Sequence, residues 1–313
     1  EQMEIYSESP KMIKRISILA IIFFIGCMSS FAKKRALLIG IGKYDFTATG
    51  WSVIHGNNDV ALLESKLKAK GFSVTYLTDN RATKSNIRFA LSDLVASVTA
   101  GDIIYLHFSG HGQLIEDMNN DEQEDLDQSF VCYDACFSSN YKVSGTSYRG
   151  QNHFIDDETF PYLNNLKRKV GKTGAVIVVF DTCYSGGADR GEQADSSDSE
   201  SDVEWIDITR GTDDEFKANA SAETYLRTIR KPGSYTTGGG KITIISACES
   251  DKKNYECKER HSGRKYGSLS YCIGKMLDMN IPITQWETYF LCQKFRTLHI
   301  IRPSQNPVVE SYK

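Results

Sequence analysis

Between Arg35 and Ser246, short apolar runs alternate with amphipathic segments, and this alternation limits the chain to few architectures. Arg35–Ile41, Phe72–Leu77, Asp102–His107, Ala175–Phe180 and Lys241–Ser246 read as strands. Val60, Leu63 and Leu67 fall on one face of a helix capped by Asn57 or Asn58. Ile87, Leu91, Leu94 and Val98 do the same in a helix opened by Thr83. Further helices are predicted near Asp156–Lys169, Tyr266–Met279 and Ile283–Leu298. Strands that alternate with helices require crossover connections, which give parallel pairing and cover the sheet on both faces. The predicted class is therefore α/β: a three-layer α/β/α sandwich around a mostly parallel central sheet. With 313 residues the chain can bury a full core.

Two of the strands end in strings that carry chemistry. Asp102–His107 runs into Phe108-Ser-Gly-His-Gly112, and Ala175–Phe180 runs into Asp181-Thr-Cys-Tyr-Ser-Gly-Gly187. Open α/β sheets assemble sites at the carboxyl ends of their strands, so His111 and Cys183 can meet above the sheet. A thiolate is the nucleophilic form of cysteine and needs such a base beside it. Cys183 is the candidate nucleophile and His111 its acid–base partner; His107, earlier on its strand, is the fallback. The backbone N–H groups of Gly112 and Cys183 are the candidate oxyanion donors, and a glycine there lets a substrate backbone approach closely. Asp181 precedes Cys183 by two residues and should face the same side of the strand end. A carboxylate there suits a cationic substrate side chain better than an acidic one.

A net charge of −3 with scattered Lys and Arg leaves no nucleic-acid footprint. Lys11–Arg15 followed by apolar Ile16–Gly26, with Ser30 and Ala32 at the positions a signal peptidase reads, predicts export with residues 1–32 as a signal region. A lipid anchor at Cys27 is the alternative, and membrane contact is expected only for that form or for a retained signal. Of the eight cysteines, those other than Cys27 and Cys183 are expected mostly as buried thiols. Residues 191–240 open on an Asp/Glu/Ser-rich stretch and close on Gly238–Gly240, so they read as an exposed, mobile linker. That linker separates residues 33–190, which hold the dyad, from 241–313, which complete the same domain. It contains Arg210, Lys217, Arg227, Arg230 and Lys231, with Arg190 just before it.

The two strings, together with Ile54–Asp59, Ser246–Asp251 and Tyr266–Ser270, resemble the metacaspases within the caspase-like cysteine peptidases. The resemblance runs from about Lys34 to Val309; the differently built Q-A-C-x-G string of caspases proper is absent. It implies an endopeptidase that needs no cofactor for its chemistry and acts as a monomer on protein or peptide substrates. It implies cleavage after Arg or Lys, in a pocket lined by Asp59, Ser109 and Asp181. Asp59 reads equally well as a helix-terminus acid. The resemblance also implies calcium as an activator, held by Asp127, Asp156 and Asp157. The family's fourth acid has no direct match: Asp189 comes one residue early and Arg190 takes its place. A solvated acidic loop without metal is the competing reading of these residues. An enzyme that cuts after Arg or Lys could also process its own linker. A catalytically inactive binding or scaffold module is the alternative function.

Overall fold

The computed structural model describes residues 32–117, 126–184, 201–217, 234–249 and 252–313. The expected signal region up to residue 31, Cys27, Asp189 and Arg190 lie outside the described residues, as do much of the acidic loop and parts of the linker. Among the described residues, no helix is long and apolar enough to cross a membrane.

In chain order the elements are β1 (Lys34–Gly40), α1 (Gly56–Ala69), β2 (Phe72–Thr78), α2 (Lys84–Ser97), β3 (Ile103–Ser109), β4 (Gly112–Glu116), β5 (Leu126–Val131) and β6 (His153–Ile155). Then come α3 (Asp156–Val170), β7 (Ala175–Asp181), β8 (Val203–Thr209), β9 (Lys241–Ser246), β10 (Tyr255–Glu259), β11 (Lys265–Gly267), α4 (Ser268–Asp278), α5 (Trp286–Leu291) and β12 (Val308–Tyr312). The central sheet has six strands in the order β12-β9-β7-β3-β1-β2. All its pairings are parallel except that of β9 with β12.

Alternation along the strands sends side chains to two separate cores. Leu37, Ile39, Leu106, Phe108, Val176 and Val178 pack with Ile87 and Leu91 of α2 and Leu163 and Leu166 of α3. Leu38, Tyr105, Ile177 and Val179 pack on the other face with Leu63 and Leu67 of α1, Ile273 of α4 and Trp286 of α5. The predicted α/β/α sandwich with a mostly parallel sheet is the observed architecture. Two three-stranded sheets, β4-β5-β6 and β8-β10-β11, lie around the carboxyl ends of β3 and β7, and Lys142–Val143 pairs with Thr146–Ser147 as a small hairpin.

Three expectations are corrected. Helix α1 starts at Gly56 behind His55, without a side-chain cap, because Asn58 instead donates to the Lys265 carbonyl. The single helix expected over Ile283–Leu298 is broken: α5 stops at Leu291, and Gln293 takes a left-handed conformation (φ 51°) before a short 3-10 segment. The largest difference falls in the expected linker. Residues 203–209 form β8, paired antiparallel with β10, and Arg210 beside it is fully buried.

Candidate active site

Strand register builds the site. Ser109 at the end of β3 lies opposite Gly40 of β1 on one side and Asp181 of β7 on the other. The two strands therefore end level, and the chain beyond each turns over the sheet end carrying His111 and Cys183. Ser109 and Asp181 face the side covered by α1, whose first turn delivers Asp59.

His111 is buried, stacked on Trp51 (centroids 4.9 Å apart), with Tyr44 at 5.1 Å. Its Nε2 donates to the Ser52 carbonyl at 2.9 Å, and its Nδ1 has no hydrogen-bond partner. That pattern fixes the Nε2–H tautomer and leaves Nδ1 with a lone pair for proton transfer. Burial pushes the imidazole down to about 4, so it is neutral near pH 7. The Cys183 thiol donates to the Lys252 carbonyl at 3.0 Å, with the Cys248 sulfur 3.8 Å away. His107 is spent elsewhere: its nitrogens bond the Tyr105 hydroxyl (2.8 Å) and the Ser270 hydroxyl (2.9 Å) in the core.

A strap from the expected linker fills this site. The Arg210 carbonyl accepts from Gly112 N (3.0 Å) and Cys183 N (3.1 Å), the two donors expected from the sequence, while Arg210 N donates to the Asn254 carbonyl. Gly112 lets the two donor segments lie this close together, since a Cβ there would lie 2.6 Å from the Cys183 oxygen. Before Arg210 the strap is β8. After it, Gln113 Nε2 donates to the Asp214 carbonyl, and Phe216 bridges in parallel to Ile115 of β4. The chain thus crosses the site extended, as a peptide substrate would lie.

Four residues close on the Arg210 guanidinium. Nη1 is 2.8 Å from Asp59 Oδ2, 2.6 Å from Ser109 Oγ and 3.6 Å from Asp181 Oδ2; Nη2 is 2.9 Å from Glu256 Oε1. Gly267 N also donates to Asp59, while Asp181 accepts from Asn254 Nδ2 and from Ser270 N and its hydroxyl. The structure brings Asp59, Ser109 and Asp181 together as the resemblance implied. Glu256 was missed, because it stands alone on a short strand with no motif around it. Burial pushes Asp59 up, to about 7, against the pull of Arg210. Burial alone would also raise Glu256, but Arg210 and then His55 hold it below the ordinary carboxylate value. Arg210 itself is raised: the three carboxylates outweigh its desolvation.

Asp127, at the start of β5, meets Asp156 and Asp157, at the start of α3, with ligand oxygens within 4.8 Å of one another. Calcium binds oxygens at about 2.3–2.6 Å, so opposite ligands stand roughly 5 Å apart and this donor set fits one such ion. Strand β5 also places Phe130 opposite Gly112, which links the trio to the oxyanion donors. All seven described cysteines are free thiols, and six of them are buried.

The caspase domain family matches residues 33–283. Metacaspase-1B of Aspergillus fumigatus is 27% identical over 240 residues, which span 73% of this chain and 51% of that protein. Metacaspase-4 of Arabidopsis thaliana is 26% identical over 237 residues, 72% of this chain and 51% of its own. The chain thus spans about half the length of these curated relatives. A crystal structure of a Geobacter sulfurreducens protein shares the fold, with a TM-score of 0.58 at 18% identity, covering 89% of this chain and 93% of that one.

Proposed function

Because this chain belongs to the caspase domain family, in which its curated relatives are metacaspases, we propose that it is a cysteine endopeptidase cutting after Arg or Lys, and that the Arg210–Gly211 bond is its first substrate. One observation carries the reading: the Arg210 carbonyl lies between two backbone N–H groups while its side chain lies among Asp59, Asp181 and Glu256.

In the proposed reaction the Cys183 thiol turns from the Lys252 carbonyl and gives its proton to His111, and its sulfur bonds to the Arg210 carbonyl carbon. Negative charge then develops on an oxygen already held by Gly112 N and Cys183 N, where fixed dipoles stabilise it most. His111 returns the proton to the Gly211 nitrogen, the C–N bond breaks, and an acyl-enzyme remains on Cys183. Water, deprotonated by His111, adds to that carbonyl; the C–S bond breaks, and the Cys183 thiolate takes the proton back from His111. Until the bond is cut, other substrates are excluded, so the uncut chain is a latent form.

Asp127, Asp156 and Asp157 fit calcium as an activator. Bound there, the ion would offset most of the charge of three carboxylates beside the β4–β5 pair, whose first residue supplies an oxyanion donor. Export rests on the basic-then-apolar pattern of residues 11–26, and protein or peptide substrates with Arg or Lys at the cut follow from the pocket.

The test is incubation of the purified chain with calcium or chelator, beside Cys183→Ala, followed by mass spectrometry and assay of Arg-, Lys- and Asp-terminated peptide amides. A fragment ending at Arg210 and Arg/Lys amide turnover, both lost in the variant, support the proposal. A chain cut after Arg210 by an added protease that still turns over no amide would leave a binding module.

A further inference from the structure

We propose that Glu256 makes the pocket selective for arginine over lysine, a specificity that rests on the peptidase reading above. Asp59, from the first turn of α1, and Asp181, at the end of β7, grip one guanidinium nitrogen. Glu256 comes from the separate sheet β8-β10-β11 and grips the other, 2.9 Å from Nη2. A planar guanidinium spans the two groups at once. An ammonium is a single point charge and reaches one or the other.

The consequence is large because the site is dry. The Glu256 carboxylate is fully buried, and so are those of Asp59 and Asp181. A lysine seated on Asp59 and Asp181 leaves Glu256 with His55 alone, through its backbone N–H (2.8 Å) and Nδ1 (2.5 Å). A buried carboxylate that loses its main countercharge is costly, and a site built to fill its hydrogen bonds rejects a ligand that leaves them open. His55 holds the Glu256 carboxylate at the angle that meets Nη2, and so acts as a positioning residue.

The intramolecular strap allows the test to run with or without turnover. In the Cys183→Ala chain, whose strap stays uncut, Arg210→Lys and Glu256→Gln are made singly and together, and the thermal midpoint of each is measured. With Glu256 present, Arg210→Lys should lower the midpoint by about 5 °C; in the Glu256→Gln background, by about 1 °C. Additive changes would overturn the inference.

In the catalytic background, strap-cut wild type should turn over a peptidyl-Arg amide on the order of 30-fold faster, in kcat/KM, than its Lys twin. Glu256→Gln should bring that ratio near unity by slowing Arg alone. Should Glu256→Gln fail to fold, equal turnover of the two amides by wild type would still overturn the inference. No turnover of either amide would sink the peptidase reading, while the stability cycle would still report on Glu256.

Discussion

His111 Nε2 donates to the Ser52 carbonyl at 2.9 Å, and this one bond decides which nitrogen is left to handle protons. With Nε2 engaged, Nδ1 is the basic atom. Burial keeps the ring neutral down to about pH 4, so it can accept a proton at neutral pH.

The same burial predicts acid sensitivity. His107 and His111 are pushed down to about 4 and His153 to about 3, against 6.5 when exposed. Between those values the unfolded chain binds more protons than the folded one, so stability is full above pH 6.5 and falls as pH drops toward 4. Asp59, raised to about 7, works in the opposite direction and tempers the loss. Urea midpoints of the Cys183→Ala chain should fall steadily from about pH 7 to about pH 4; a flat profile would contradict the buried, neutral imidazoles.

Arg210→Met removes the countercharge of three buried carboxylates. Breaking such a cluster costs about 3 kcal/mol or more, so the variant should unfold at clearly lower denaturant. Because methionine is not a residue the enzyme cuts after, the chain should stay uncut there and hydrolyse Arg amides more slowly than self-cut wild type. Unchanged stability would mean that the guanidinium is not seated among Asp59, Asp181 and Glu256.

Gly211 is where the strap leaves the cleavage position. A Cβ there would lie 2.3 Å from the Cys183 oxygen and 3.0 Å from its Cβ. Gly211→Val should slow cleavage after Arg210 by at least about tenfold, measured as loss of intact chain over time. Activity of the strap-cut variant on small Arg amides should stay near wild type, because those lack a residue there.

Asp127, Asp156 and Asp157 are predicted to act as one calcium site. Asp157→Asn should weaken calcium binding on titration calorimetry by about tenfold or more and raise the calcium needed for self-cleavage. Equal binding by the variant would rule this trio out as the calcium site.

Much of this was legible in sequence because strands and helices were dictated locally. Lys241–Ser246 and Thr83 matched as read, the latter capping α2 through Asn86 N. His111, Gly112 and Cys183 could be placed because each closely follows a buried strand. Arg210 and Glu256 could not. Val203–Thr209 breaks strict alternation at Trp205–Ile206, just before its pairing register shifts, it follows an acidic, serine-rich run, and its partner β10 lies some fifty residues on. Strands of three to five residues, as in β6, β10 and β11, carry too little pattern of their own and exist through pairing with distant chain.

Strand β8 is the outermost member of its small sheet, and among the described strands it pairs with β10 alone. Cutting the bond after Arg210 therefore does not expel it: the new carboxyl end stays at the site as a tethered product, at high effective concentration. Activation then becomes a contest rather than an event. Each incoming substrate has to displace a resident strand along the same edge of β10, and a sequence that forms a better strand before its arginine wins more often. On the proposed self-cleavage, turnover would be governed by strand exchange as well as by the chemistry of one bond.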